Sequence, residues 1–449
     1  MRNSNVTRMT KRLSVILAFG LSFAGSAIGE EQAGSTGILP IPEYGEDFWS
    51  REHASGDWGG VRTDWAQQYG LQFDVDWVQW ADTVVDGGKS DNHEWGGNLT
   101  YNLEWDLMRA GIVPGAVIQI RAETRYGDSA LLNTGQIVPN NTAALSPTNY
   151  NKPGGYDIAL TQFSWLQMFS EHVGVIFGKL DLYANGDQNE FTSGRGRTGF
   201  SNWSLAYPTA AMYVPATTAA IGVVYLPSPW LNISSLLLSG EPCTKDPCFE
   251  DLGDKGGISA TTVNYQYNLG GLPGGVTGQF VYFFDTDFTN IGEQIPVPGE
   301  GLVGSEKNKS WQVAASFWQY LSVKGGSHEG PVDLNNREQD LAGWGLFARI
   351  GGADEDTIIW ENSVSVGIGG RGVVPGRPND AFGVGYFYNR LNEDRTITSD
   401  YENGDGVEAY YNLAITPAVR FSINVQYIGN SEPGVDDATM VNGRLHVVL

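Results

Sequence analysis

Long apolar runs are almost missing from this 449-residue sequence. The one exception is LSVILAFGLSFA, Leu13 to Ala24. It follows the basic residues Arg2, Arg8, Lys11 and Arg12 and precedes Gly25, Ser26, Ala27 and Gly29. Basic, then apolar, then small is the order of an export leader, and the run is too short for a spanning helix. Cleavage after Ala27 or after Gly29 fits equally well. No later segment is apolar for long enough to cross a membrane as a helix. Positive charge is scarce too, with 27 Lys and Arg against 51 Asp and Glu and a net charge of −24. Removing the four basic residues of the leader takes −24 to −28. Such a chain has no basic patch for nucleic acid or for an anionic membrane surface. Acidic loops and an acidic lumen remain compatible with a barrel embedded in a membrane.

Cysteine is nearly absent. Cys243 and Cys248 lie in SGEPCTKDPC, and an even, closely spaced pair in an exported protein reads as a loop disulfide. A metal site fits less well, because no second pair and no histidine lies near. The histidines (His53, His93, His172, His328 and His446) are scattered without ligand spacing, so no metal or other cofactor is expected. No nucleophile-elbow sequence occurs. GIGGRG, Gly367 to Gly372, fits a dinucleotide motif only formally, since no helix follows it. No carboxylate pair stands out for glycoside hydrolysis. An enzyme is not expected.

Helical periodicity is also nearly missing. Period two replaces it. In Ala116 to Arg125, Ile118, Ile120 and Ala122 share one face while Gln119, Arg121, Glu123 and Arg125 share the other. In Gly97 to Leu107, Leu99, Tyr101, Leu103 and Trp105 alternate with Asn98, Thr100, Asn102, Glu104 and Asp106. Val419 to Tyr427 and Asn442 to Leu449 repeat the pattern. A soluble sandwich alternates as well. Here, however, the polar face carries Arg, Glu, Asp and Asn in succession, which suits a water-filled lumen with an apolar face toward lipid. About 16 such stretches are expected, enough for a porin-sized barrel. The other stretches begin near Leu71, Leu160, Val173, Ala219, Leu231, Ile258, Val276, Ser310, Leu341, Trp360, Ala381 and Gly406. The predicted fold is all-β, an antiparallel transmembrane barrel over residues 71–449. It follows a leader (1–29) and an N-terminal segment (30–70).

The predicted connections alternate between short and long, as periplasmic turns and outer loops do. Tyr126 to Ala159 and Leu182 to Thr218 are long enough to fold into the lumen. Val323 to Asp340 is long where a short turn is due. One short helix is predicted before the barrel, in GDWGGVRTDWAQQYG. Asp57 or Ser55 caps it, Gly70 stops it, and Val61, Trp65 and Tyr69 fall at helical spacing. It is expected at or inside the inner mouth.

The candidate pore-lining residues follow from strand parity. Arg121, Glu123 and Arg125, with Gln119 below, form the densest ionic face. Glu104 and Asp106 lie on the preceding strand, Lys179 and Asp181 in VIFGKLDLY, and Asp74 and Asp76 on the first strand. Such charges are costly in lipid and cheap in a wet lumen. They select solutes or brace the wall as a salt-bridge ladder, and parity does not separate the two roles. Arg349 and Arg420 are lone inward charges that read as braces. The tryptophans read mainly as interface anchors, with Trp105 and Trp311 on lipid parity and Trp318 on lumen parity.

Several segments resemble the carbohydrate-selective porins of the OprB type. GDWGG-x-R with the following helix and Gly70 resembles that family's N-terminal signature. GLFARIGGADED (Gly345 to Asp356), VPGRPND (Val374 to Asp380) leading into FGVGYFY, and VEAYYNLAITPAVRFSINVQYI (Val407 to Ile428) resemble later family blocks. VPGRPND also reads on its own as a turn, with Pro378 fixing the backbone. The last residue, Leu449, departs from the terminal aromatic common in such barrels. The resemblance implies a 16-stranded outer-membrane barrel passing monosaccharides and similar small polar solutes. Its partners would then be small sugars and outer-membrane lipid, with self-assembly, for instance as a trimer, left open. Two other classes stay open: a structural or less selective barrel with a plugged or general-diffusion lumen, and an exported sugar-active enzyme.

Overall fold

The computed structural model describes residues 37–449 except 46, 146–157, 184–188, 193–195, 212, 244–247, 250–251, 299–300, 329–340 and 397–399. The expected leader lies outside the described residues. The barrel strands are β1 (Leu71–Asp86), β2 (His93–Asp106), β3 (Ala116–Gly127), β4 (Ile158–Met168), β5 (Val173–Asp181), β6 (Thr217–Ser228), β7 (Leu231–Ser239), β8 (Gly257–Leu269) and β9 (Leu272–Thr289). A small hairpin, β10 (Ile295–Val297) and β11 (Gly301–Val303), interrupts the series. It continues with β12 (Glu306–Val323), β13 (Gly343–Ala353), β14 (Trp360–Arg371), β15 (Ala381–Leu391), β16 (Gly404–Thr416), β17 (Val419–Ile428) and β18 (Ala438–Val448).

Sixteen of these strands close into one antiparallel barrel, with β1 hydrogen-bonded to both β2 and β18. Closure leaves no unpaired edge, which a strand surrounded by hydrocarbon requires. The two-faced pattern is the cause of the arrangement. On β17, Phe421, Ile423, Val425 and Tyr427 are exposed on the outside while Ser422, Asn424 and Gln426 are buried within. On β6, Ile221, Val223 and Tyr225 likewise form the outer face. No described helix is long and apolar enough to cross a membrane.

The tightest connections, β4–β5, β6–β7, β8–β9 and β16–β17, lie at one end, with the N-terminal segment. The connection after β12 is on that end as well, so the irregularity read near Val323 to Asp340 is real; residues 329–340 of it lie outside the described set. The β10–β11 hairpin at the opposite end was not foreseen. Cys243 and Cys248 are disulfide-bonded in the outer connection between β7 and β8, with Cα atoms 5.3 Å apart.

The predicted helix forms as α1 (Val61–Asp64), which continues as a wider turn over Trp65–Tyr69. Its N-cap is Gly60, at φ +100°, and not Asp57 or Ser55; the Asp57 carboxylate instead accepts hydrogen bonds from the Thr63 N–H at 2.8 Å and its hydroxyl at 2.7 Å. Gly70 stops the segment at φ +68°. The helix sits at the rim of the barrel rather than inside it. Only Arg62 and Ala66 turn into the protein, while Val61, Trp65 and Tyr69 are exposed.

Arg62 is the clasp of the barrel seam. Its guanidinium bonds to the Asp74 carboxylate and the Phe73 carbonyl on β1, to the Gly56 carbonyl, and to the Leu449 carbonyl just past β18. The Tyr44 ring stacks 3.9 Å from it. Farther along the rim, Ile38 and Leu39 pack on Val117, Leu166, Met168, Val224 and Leu226. Their N–H groups both bond to the Asp106 carboxylate. The N-terminal segment therefore lines part of the inner mouth as a strap.

Candidate functional site

The described residues of both long outer loops fold into the barrel. Each is pinned by a buried carboxylate on the wall. In the loop between β3 and β4, Ser129 and Asn141 donate to Asp82 of β1. In the loop between β5 and β6, the Ser201 and Asn202 N–H groups donate to the two oxygens of Glu408 on β16, at 2.6 and 2.8 Å. Asn202 also caps a one-turn helix, α2 (Trp203–Ala206). The loops bond to each other as well, Thr142 N to Ser201 O and Trp203 N to Pro139 O. Neither Asp82 nor Glu408 stood out in the sequence, because a single buried acid on a lumen face resembles any other lumenal charge.

The second loop divides the lumen into two unlike halves. On the β9 to β16 side it brings Phe191, Phe200 and Leu205 against Trp318, Tyr320, Phe347, Phe387 and Tyr410. Trp318 is therefore a packed wall residue. Inward glycines make room for the loop. A Cβ on Gly345 would stand 2.8 Å from the Phe191 ring, and one on Gly383 2.8 Å from the Phe200 ring. Arg349 donates to the Leu205 carbonyl and the Thr192 hydroxyl, so it is a brace. Arg420 donates to the Asn379 carbonyl at 3.0 Å and braces the inner turn. The sequence carried a signal for this packed half: inward-parity glycines beside aromatics in GWGLF and FGVGYF. They read as weak strand residues until a loop is known to lie against them.

The other half, walled by β17, β18 and β1 to β5, stays polar. Arg121 donates to Asn102 at 3.0 Å and faces Asp181 at 3.5 Å. Asp181 would fall on the lipid face if β5 alternated strictly from Val175 and Phe177. Gly178, at φ +128°, breaks the alternation and leaves Lys179 and Asp181 buried. Gln119 links to Glu104 at 3.4 Å and to Gln162 at 3.3 Å. Glu123 accepts from Asn98 at 3.3 Å. The Arg125 guanidinium lies 5.9 Å from the Trp80 ring centre. Asp76 meets His446 at 3.1 Å and Arg197 of the inward loop at 3.3 Å.

The predicted lining residues thus separate into two groups. Arg121, Glu123, Arg125, Gln119, Glu104, Lys179, Asp181 and Asp76 belong to the polar wall. Asp74 and Asp106 face inward but are occupied at the inner rim, Asp74 by Arg62 and His53 and Asp106 by Ile38, Leu39 and Arg109. Three side chains that the sequence did not single out come from the inward loop: Arg197, which joins the polar half, and Trp203 and Tyr207, which pack on Ala353, Ile358, Trp360 and Leu391 at its border. With Asn98, Glu123, Thr142, Ala143, Leu145 and Tyr183 they surround a void of about 20 Å³. That holds about one water molecule. Trp203 and Tyr207 pack with ring centres 4.6 Å apart, and Tyr183 stands edge-on to Trp203 at 5.2 Å. Charged groups and an aromatic cluster therefore converge from wall and loop. Among the described residues no group of His, Cys, Asp and Glu side chains has metal-binding geometry.

VPGRPND proves to be a braced inner turn. Arg377 grips Asp380 with two bonds of 2.8 and 2.9 Å and donates to the Ala414 carbonyl. Asp380 in turn accepts from the Ala414 N–H and the Tyr411 hydroxyl.

Comparison with known proteins gives three kinds of match. The family model described as carbohydrate-selective porin, OprB family, matches residues 95–449. QuiX of Acinetobacter baylyi is 24% identical, with 85% of this chain and 90% of that protein aligned. Porin B of Pseudomonas aeruginosa is 23% identical over 88% of this chain and 90% of its own length. Among solved structures, the high-pH form of Pseudomonas putida OprB superposes with a TM-score of 0.73 at 19% identity, covering 90% of this chain and all of that one.

Proposed function

The chain belongs to the carbohydrate-selective porin family OprB, and from that premise we propose that the polar half of its lumen is a monosaccharide pathway whose selective point is the ring of Glu123, Asn98, Arg197 and Trp203. The protein is an outer-membrane porin, so cargo moves down its own gradient. The observation that carries the proposal is the meeting of Arg197, Trp203 and Tyr207 from the inward loop with Glu123 and Asn98 from the wall around one void.

Sugar chemistry explains why these residue types serve. A pyranose offers hydroxyls that both donate and accept, and ring faces that are weakly apolar. Arg197 supplies donors, Glu123 acceptors and Asn98 both. The Trp203 and Tyr207 rings offer apolar surface with a polar tip. Passage demands binding strong enough to replace hydration and weak enough to release. The void of about 20 Å³ is smaller than a sugar, so long side chains such as Arg197 and Glu123 swing aside as cargo passes. Arg121, Arg125, Lys179 and Asp181 continue the charged surface and also brace the wall, both jobs being compatible in a wet lumen. The neighbouring aromatic half narrows the route and excludes bulky solutes.

Liposome swelling with purified protein tests the reading. Monosaccharides should enter and large oligosaccharides should not. Arg121→Ala and Arg125→Ala should change sugar flux with the barrel intact, and Trp203→Ala should lower discrimination among sugars. A protein that admits no solute, or one whose flux ignores all three substitutions, overturns the proposal.

A further inference from the structure

A stripe of apolar side chains on the N-terminal segment faces away from the protein. Trp58, Val61, Trp65 and Tyr69 are 46%, 39%, 41% and 55% exposed. Val61, Trp65 and Tyr69 recur every fourth residue, and Trp58 stands edge-on to Trp65 at 6.2 Å. Among the described residues, Arg62 reaches the Trp58 ring, and none closes over the exposed face of the stripe. It is held outward by the opposite side of the segment, where Arg62 is clasped to the barrel seam. Large apolar side chains kept rigidly together in the open call for an occupant.

The position of the stripe identifies that occupant. Trp105 lies on the lipid-facing parity of β2, at the end of the barrel where the short turns gather. Its indole N–H donates to the Tyr69 carbonyl at 3.1 Å. The segment therefore meets the outer surface of the wall at the level of a girdle tryptophan. Its aromatics continue the surface that already contacts lipid, at the depth where tryptophan and tyrosine rings are favoured because one end is apolar and the other wet. We propose that the segment from Trp58 to Tyr69 is an interfacial foot: its aromatic stripe lies among the phospholipid headgroups of the inner leaflet of the outer membrane. Short amphipathic elements bind membranes in this way, with the apolar face shallowly buried. The foot would hold the seam clasp and the inner-mouth strap at a fixed depth. The proposal is independent of what passes through the pore.

The test uses the full chain, labelled with 5-fluorotryptophan, in nanodiscs of phosphatidylethanolamine and phosphatidylglycerol. Trp58→Phe and Trp65→Phe identify the two fluorine resonances. Trp65→Tyr replaces the latter should it block folding, which heat-shifted electrophoretic mobility reports. The expected result is broadening of both resonances by a lipid carrying a nitroxide near its headgroup, and no broadening by a water-soluble gadolinium chelate. Broadening by the chelate places the stripe in water and overturns the proposal. Broadening by neither reagent places it against protein, such as a second copy, and also overturns it.

Discussion

Arg197 and Asp76 meet inside the barrel, the guanidinium Nη1 lying 3.3 Å from the carboxylate Oδ2. Arg197 comes from the inward loop and Asp76 from the first strand. The same guanidinium donates to the Thr100 hydroxyl at 2.6 Å. The loop is therefore tied across the polar half of the lumen to β1 and β2. Hydrogen bonds to charged groups contribute about 1.5–3 kcal/mol each. Arg197→Ala should widen the pathway and raise single-channel conductance. Block of the current by added monosaccharide should weaken by about tenfold, the equivalent of one such bond. Unaltered conductance and block in planar bilayers would show that Arg197 lies off the route.

Glu408 positions the loop from the opposite wall. Its carboxylate receives Ser201 N, Asn202 N and Asn424. Glu408→Ala leaves buried donors without an acceptor, at about 1–3 kcal/mol for each group. The loop should detach while the closed ladder survives. Limited proteolysis is expected to cut near Gly199 in the variant but not in the parent, alongside noisier single-channel currents. Equal resistance of both proteins to protease would contradict this.

The glycines under the aromatic half are needed for volume. At Gly383 a Cβ would stand 2.4 Å from the Tyr410 ring and 2.8 Å from the Phe200 ring. Gly383→Val overpacks this contact, at a cost of about 1–3 kcal/mol. The expected readout is a lower unfolding temperature in detergent. The outward neighbour Val384 is 41% exposed, so Val384→Leu should leave that temperature nearly unchanged. A Gly383→Val protein as stable as the parent would mean the loop does not rest there.

The Arg377–Asp380 turn makes stability depend on pH. Partial burial raises the Asp380 carboxyl, but hydrogen bonds from Arg377, Tyr411 and the Ala414 N–H outweigh it and hold the group below its usual range. A depressed carboxylate contributes stability fully above its unfolded value of about 4, and the contribution is lost as pH falls through the folded value. Asp380→Asn should therefore lower the unfolding temperature at neutral pH. The gap from the parent should close as the pH drops below about 4. A gap that persists undiminished in acid would assign the loss to geometry rather than charge.

Much of the architecture was legible because a barrel strand has to satisfy two solvents at once. Period two in Ala116 to Arg125 and Val419 to Tyr427 fixes which side chains meet lipid and which meet water. It therefore locates Arg121, Glu123 and Arg125 on the inner wall. The stop at Gly70 was legible because it is a local φ requirement, whereas the cap is displaced from Asp57 to Gly60, whose left-handed backbone starts the turn. The spacing of Val61, Trp65 and Tyr69 was also legible, but its direction was not. Helical periodicity marks an apolar face without saying whether protein or lipid covers it.

The sequence by itself determined the closed, two-faced barrel, since alternation and polar satisfaction act within a strand and between neighbours. Only the tertiary structure decided what fills the lumen. Phe191, Phe200, Arg197 and Asn202 sit in an irregular loop, where no period constrains them. Their partners at Gly345, Gly383, Asp76 and Glu408 are far away in the chain. Whether that loop folds inward depends on those distant contacts outweighing the entropy of ordering it, a balance that no local pattern in the chain records.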